Sequence, residues 1–371
     1  MKHILKNNLI LSRMKKYILL ATVILAVGNT AVHAQGCVAI RSTGGAFCSM
    51  QEKAGIDSSK WTLTINNRYF KSFRHFVGKE EQKQRVEEGS QVINHNFTTD
   101  LLLSYKLKNN WSVSANIPVI SNTRSSLYEH DRKNRHSTSS FGIGDIRISA
   151  GKWLLDEHKK GNVQVVLGLK LPTGDYRYED YFYKNDSTNV LGPVDQSIQL
   201  GDGGTGVTLE LNSYYHFTKN LSVYSNFYYL LSPREQNGVS TARGGSTSAS
   251  SIRYTSDVMS VPDQYMIRAG LNYKVKSFLF SAGVRDECLP AKDLVGGSSG
   301  FRRPGYIISL EPGITYTFKK VSIYYFMPFA IKRDRTQSVP DKIRTELTGV
   351  YAQGDAAFAD YLVNLGLTYN F

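Results

Sequence analysis

Only 3 Cys and 10 Pro occur in 371 residues. Three thiols cannot staple a chain of this length, which excludes a disulfide-held miniprotein, and the 41% apolar content excludes a disordered one. No long apolar run follows residue 27, and the mean hydropathy is −0.30, so the chain is not a helical membrane protein. Helical periodicity is nearly absent beyond Lys60, which removes coiled coils. Basic residues outnumber acidic ones by 45 to 31, yet no basic helix, zinc-ligand spacing or RNA-binding signature accompanies them, so no nucleic-acid partner is expected. Aromatic residues are abundant instead, with 23 Tyr and 17 Phe.

Residues 1–34 read as a cleaved signal peptide. Lys2, Lys6, Arg13, Lys15 and Lys16 form a basic start, Tyr17 to Val27 an apolar stretch, and Val32-His33-Ala34 a small-residue cleavage site before Gln35. Met14 offers an alternative start directly before the apolar stretch. Removal of this segment leaves 40 basic against 31 acidic residues, a net +9 that suits a surface facing anionic lipid headgroups. In an oxidising compartment Cys37 and Cys48 are expected to pair, with lipid attachment at Cys37 the minority alternative. Residues 35–59 are then a periplasmic or plug-like appendage.

From residue 60 onward the period is two. Trp111-Val113-Ala115-Ile117-Val119, Val163-Val165-Leu167-Leu169-Leu171 and Tyr361-Val363-Leu365-Leu367-Tyr369-Phe371 alternate with polar residues. The connections alternate too. Short turns at 108–110, 156–161, 218–220, 276–277 and 319–320 interleave with long polar segments at 76–90, 124–140, 173–204, 232–261, 287–303 and 332–358. Short turns at one end and long loops at the other organise a transmembrane β-barrel. Strand starts near 60, 91, 111, 141, 162, 205, 221, 262, 278, 304, 321 and 359 give an all-β fold: an antiparallel barrel of about twelve strands over 60–371 in the outer membrane of a Gram-negative bacterium. Aromatics near strand ends (Trp61, Tyr105, Trp111, Trp153, Tyr215, Phe217, Tyr273, Phe318, Tyr369, Phe371) suit an interfacial girdle, which a soluble β-sandwich does not need.

If the aliphatic parity faces lipid, the other parity lines the lumen, and it carries Asp100, Arg147, Glu210, Arg268, Arg285, Glu311 and Asn364. Arg or Lys facing lipid near the midplane would cost ~2–4 kcal/mol. The arginines either line a channel or pair with Glu210 and Glu311 to brace a narrow lumen. In the loop 173–204, Tyr176, Tyr178, Tyr181, Phe182 and Tyr183 interleave with carboxylates. Such rings could capture an apolar or aromatic solute, or simply pack within a solvated loop. No calcium-loop spacing is present, and neither a metal nor a cofactor is expected. The Gly201–Gly206 run precedes a strand and lacks the Lys and helix of a phosphate loop, so it reads as a flexible loop end.

His136-Ser137 is the one tempting nucleophile and base, but it reads as a loop tip, and adjacent strand residues point to opposite faces. An outer-membrane lipid-modifying hydrolase is therefore the weakest option, and no catalytic residue is assigned.

Phe141-Gly142-Ile143-Gly144-Asp145-Ile146, Leu167 to Asp175 with its Leu171-Pro172-Thr173-Gly174, and Gly203 to Leu211 resemble the outer-membrane family named for the meta-pathway of phenol degradation. That resemblance, strongest over 141–231, implies a barrel that transports hydrophobic or aromatic compounds. The small residues around Gln35 resemble signal peptides of Bacteroidetes-type bacteria, and the terminal Tyr369-Asn370-Phe371 resembles the signal read by the barrel-assembly machinery. The expectation is passive uptake of a small solute, with outer-membrane lipids and lipopolysaccharide as surroundings. The rival is a non-conducting barrel whose loops bind or scaffold other molecules.

Overall fold

The structure, a computed structural model, describes residues 59–156 and 159–371. The signal peptide, the Cys37–Cys48 pairing and nearly all of the 35–59 appendage lie outside the described residues.

Twelve antiparallel strands form a closed barrel. They are β1 (Trp61–Val77), β2 (Ile93–Lys106), β3 (Trp111–Ser126), β4 in two pieces (His136–Ile143 and Arg147–Trp153), β5 (Gly161–Lys170) and β6 (Gly206–His216). Then follow β7 (Leu221–Leu231), β8 (Gln264–Val275), β9 (Phe278–Leu289), β10 (Gly305–Phe318), β11 in two pieces (Val321–Phe326 and Phe329–Asp334) and β12 (Ala356–Asn370). Each strand pairs with its chain neighbours, and β1 closes on β12 from Thr62↔Asn370 to Phe76↔Ala356. Closure satisfies the backbone donors and acceptors that an open edge would expose to lipid.

The alternation has the sense a membrane demands. On β5 and β6, Leu167 is 57% exposed on the outside while Asn212 is 0% exposed on the inside. A soluble sandwich would bury the leucine and wet the asparagine. Outward aromatics form two rings. Trp61, Trp111, Tyr215, Phe217, Tyr273, Phe318, Tyr369 and Phe371 gather at the turn end, with Trp61 4.6 Å from Tyr105. Tyr69, Tyr229, Tyr265 and Tyr361 mark the loop end, with Tyr229 and Tyr265 stacked at 6.3 Å. Eight residues separate Trp61 from Tyr69, about 26 Å along the strand at ~3.3 Å each and about 20 Å upright at a ~40° tilt. That is the scale of an outer-membrane hydrocarbon layer.

Trp153 does not belong to the outer girdle. It shares parity with Arg147, points inward and packs with Tyr214, Tyr224, Tyr324 and Phe326. These rings lie along the inner wall over glycines of neighbouring strands: a Cβ at Gly366 would collide with the Tyr324 ring, and one at Gly313 with Phe326.

Candidate functional site

The inner wall pairs its charges. Arg268 donates to Glu311 through Nε at 2.9 Å and also through Nη2, and Arg285 reaches Glu311 at 3.3 Å and Glu287 at 2.6 Å. These four residues form one buried chain across β8, β9 and β10. Arg147 stands 3.6 Å from Glu210 and lies over the Tyr228 ring at 5.4 Å. Asp100 accepts from Asn116 Nδ2 at 3.3 Å, and Asn364 is buried on the same inner face of β12.

The largest feature of the lumen was not legible from strand alternation. The loop 171–205 first forms a hairpin, Glu179–Tyr183 with Asn189–Pro193, and then turns back into the barrel. Val194, Ile198 and Gln199 are fully buried, as is Leu200. The wall holds this segment by its backbone: Asn96 donates to the Ser197 carbonyl and Asn122 to the Ile198 carbonyl, both at 3.3 Å, and Ser140 Oγ donates to the same Ile198 carbonyl. The segment itself donates through Gln196 Nε2 to the Ser260 carbonyl at 2.8 Å.

Asp195 anchors the segment electrostatically. Arg303 grips it with two parallel bonds of 2.8 and 2.6 Å, Arg243 approaches to 3.1 Å and Arg124 to 3.5 Å. Burial pushes the Asp195 carboxyl up, but Arg124, Arg303 and Arg243 outweigh it and hold the group well below the ordinary carboxylate value. Glu129 completes the cluster, 2.6 Å from Arg124 and 2.9 Å from Arg243.

The Gly and Pro motifs meet at the base of this segment. β4 breaks at residues 144–146, where the Thr173 hydroxyl accepts from the Ile146 amide and donates to the Gly144 carbonyl, both at 2.9 Å, replacing the interrupted ladder. The break turns Asp145 toward the amides of Gly174 at 3.0 Å and Asp202 at 3.3 Å, and Lys170 bonds both Asp145 and Asp202. The Gly201–Gly206 run is thus packed structure rather than a flexible end. Gly203 adopts φ +81° against the face of Tyr176, where any Cβ would collide.

What remains open beneath the segment is a cavity of about 60 Å³. Arg68, Arg147 and Lys170 line one side, and Pro118, Ile120, Tyr228, Leu230 and Pro262 supply its apolar surface. Of the charges expected to line the lumen, Arg147 alone borders it; the Arg268–Glu311–Arg285–Glu287 chain fills wall space elsewhere. Arg68 and Lys170 were missed, although both share parity with inward residues.

The tyrosine-rich stretch divides. Tyr181 and Tyr183 are exposed, whereas Phe182 is 0% exposed, stacks on His130 at 5.5 Å and anchors the hairpin instead of offering a face to solute. Tyr176 sits between the guanidiniums of Arg177 and Arg234, and the Tyr178 carbonyl accepts from the Val194 amide. His136 opens β4 rather than capping a loop. It stacks on Tyr183 at 4.2 Å and lies 3.5 Å from Asp131, while Ser137 points outward, so the two do not converge. Burial and the neighbouring His136 lower the His130 pKa.

No protein-family model and no curated protein matches the sequence. Solved barrels do match in fold. The COG4313 outer membrane channel from Pseudomonas putida F1 is 13% identical at a TM-score of 0.54, over 86% of this chain and 98% of that one. The chain is a transmembrane β-barrel. Matches with lower TM-scores include the translocator domain of the autotransporter NalP from Neisseria meningitidis (13% identity, TM-score 0.45, 88% and 94% coverage) and the CymD monoaromatic hydrocarbon channel (11%, 0.39, 92% and 98%). At these identities the likeness extends to the fold alone.

Proposed function

We propose that this barrel is an outer-membrane channel for passive uptake of small hydrophobic or aromatic molecules. The observation that carries the reading is the mouth. The exposed Tyr181 and Tyr183 stand on the loop hairpin, and the cavity within the lumen joins Ile120, Leu230 and two prolines to charged groups, Arg68, Arg147 and Lys170 with Asp145 and Asp202. Amphipathic rings at an entrance favour solutes that are planar and apolar over those that are fully hydrated. The motif resemblance at 141–146 and 167–175 supports the same class of solute. The outward leucines and the two aromatic rings support an outer-membrane location, in which lipopolysaccharide and outer-membrane lipids would be the surroundings.

A second reading, a non-conducting barrel whose loops bind or scaffold, is favoured by the closure itself. A cavity of about 60 Å³ holds a few waters and no aromatic ring, so passage requires the 194–204 segment to move. Single-channel recording and liposome swelling on the purified full chain separate the two. Flux of small aromatic solutes is expected, and absence of flux for every solute class overturns the channel.

A further inference from the structure

The 194–204 segment is held by an ion cluster whose composition is unusual for a simple brace. Three guanidiniums, from β3 (Arg124), from the 232–263 loop (Arg243) and from the 290–304 loop (Arg303), converge on one carboxylate. Arg303 meets Asp195 with the two-pronged geometry by which arginine recognises carboxylates in general. Glu129 also binds Arg124 and Arg243, so the three arginines bring both carboxylates into one cluster. The cluster is also within reach of the mouth, since the Arg243 side chain is 28% exposed while that of Asp195 is 2% exposed. Beside it stands the ring stack: Glu129 is followed directly by His130, which packs against Phe182, Tyr183 and His136.

We propose that Asp195 is a built-in stand-in for a solute carboxylate, and that an aromatic acid entering the mouth displaces it from Arg243 and Arg303 and so frees the segment that fills the lumen. The arginines would take the acid group, and the exposed Tyr183, backed by His136, would take the ring. Displacement exchanges one arginine–carboxylate pair for another, so entry of an acid compensates the opening directly. A neutral ring of the same size brings no such compensation. This deepens the channel reading by naming its solute as an organic anion, and it rests on that reading for the consequence of opening but not for the binding step.

Benzoate, with the neutral benzyl alcohol as its control, is the probe. Calorimetry on the detergent-solubilised full chain measures binding, and planar-bilayer recording measures opening. Expected are saturable benzoate binding by the wild type, at least ten-fold tighter binding by Asp195→Ala because the internal competitor is gone, at least ten-fold weaker binding by Arg243→Gln, and none of benzyl alcohol. In the bilayer, benzoate should lengthen wild-type openings several-fold, and Asp195→Ala should be open without it. Retained heat-modifiability on gels reports folding of each variant, and Asp195→Asn serves where the alanine variant misfolds. Equal benzoate affinity in wild type and Asp195 variants, binding in neither, or equal response to the alcohol overturns the proposal. Absence of current in every variant while benzoate still binds overturns the channel reading alone.

Discussion

Replacing Glu311 by Gln tests whether the inner wall is dry. The carboxylate accepts from Arg268 and Arg285, which stand directly opposite each other in the β8–β9 register, and all three side chains are at most 3% exposed. Opposed residues in an antiparallel ladder have Cα atoms about 5 Å apart, so without the carboxylate two like charges remain on neighbouring strands with no acid between them. Arg285 keeps Glu287 at 2.6 Å, but the acid that joins it to Arg268 is gone. Removing one partner of a buried pair costs about 3–5 kcal/mol, and the retained Glu287 places Glu311→Gln near ~3 kcal/mol, roughly a hundred-fold in the folding equilibrium. Reversible urea unfolding in lipid vesicles, followed by tryptophan fluorescence, reads this shift. The double variant Arg268→Met/Glu311→Leu should recover most of the loss, because apolar groups of similar size leave no orphaned charge between these strands. A cost below about 1 kcal/mol for Glu311→Gln refutes the reasoning, since it is the value of a water-solvated pair and means that the lumen beside β8–β10 is filled with water.

Leu167→Arg places a guanidinium on the lipid face and should cost ~2–4 kcal/mol in vesicles if residue 167 lies near the midplane. An unchanged unfolding midpoint would contradict the assigned outer face. Thr173→Val removes the hydroxyl that serves both Ile146 N–H and the Gly144 carbonyl, and should cost about 1–3 kcal/mol while making the 171–205 loop sensitive to added protease; equal protease resistance would show that the break in β4 stands without it. The His130 pKa is lowered by burial and by His136, so its neutral form is favoured in the fold. Stability at the mouth should therefore be constant above the unfolded histidine value near 6.5 and fall as pH drops below it, which hydrogen exchange in the 127–135 and 179–193 segments reads. Asp195, held well below the ordinary carboxylate value, should keep its latch across the same range, its contribution declining as pH falls below about 4 and lost only as pH falls through its own, lower value.

The barrel was legible because two independent periodicities agree: side chains alternate every second residue, and connections alternate between short and long. All twelve strands begin within five residues of their expected starts, and the largest difference, β4 at His136 instead of 141, is instructive. Ser137, Ser139 and Ser140 extend the strand beyond the apolar band, where both faces are polar and the alternation that betrays a membrane strand disappears. For the same reason Arg124 read as loop, although it continues the inward parity of Ile120 and Asn122. Parity also fixes Trp153 inside by its spacing from Arg147; the ring's nature suggested the girdle, but geometry prevails.

The inward-folded segment had one weak signal, the apolar Val194, Ile198 and Leu200 in an otherwise polar connection, and no periodicity to amplify it. Its anchors come from positions separated by roughly fifty to more than one hundred residues, as with Arg243 and Arg303 on Asp195. The Gly and Pro motifs build the junction between wall and segment: Thr173 bridges the broken strand, and Lys170 with Asp145 and Asp202 fixes where the chain re-enters. Such motifs report how the lumen is closed, and the residues that the closing segment brings together, Arg124, Arg243 and Arg303 around Asp195, carry no motif of their own because they meet only in the fold.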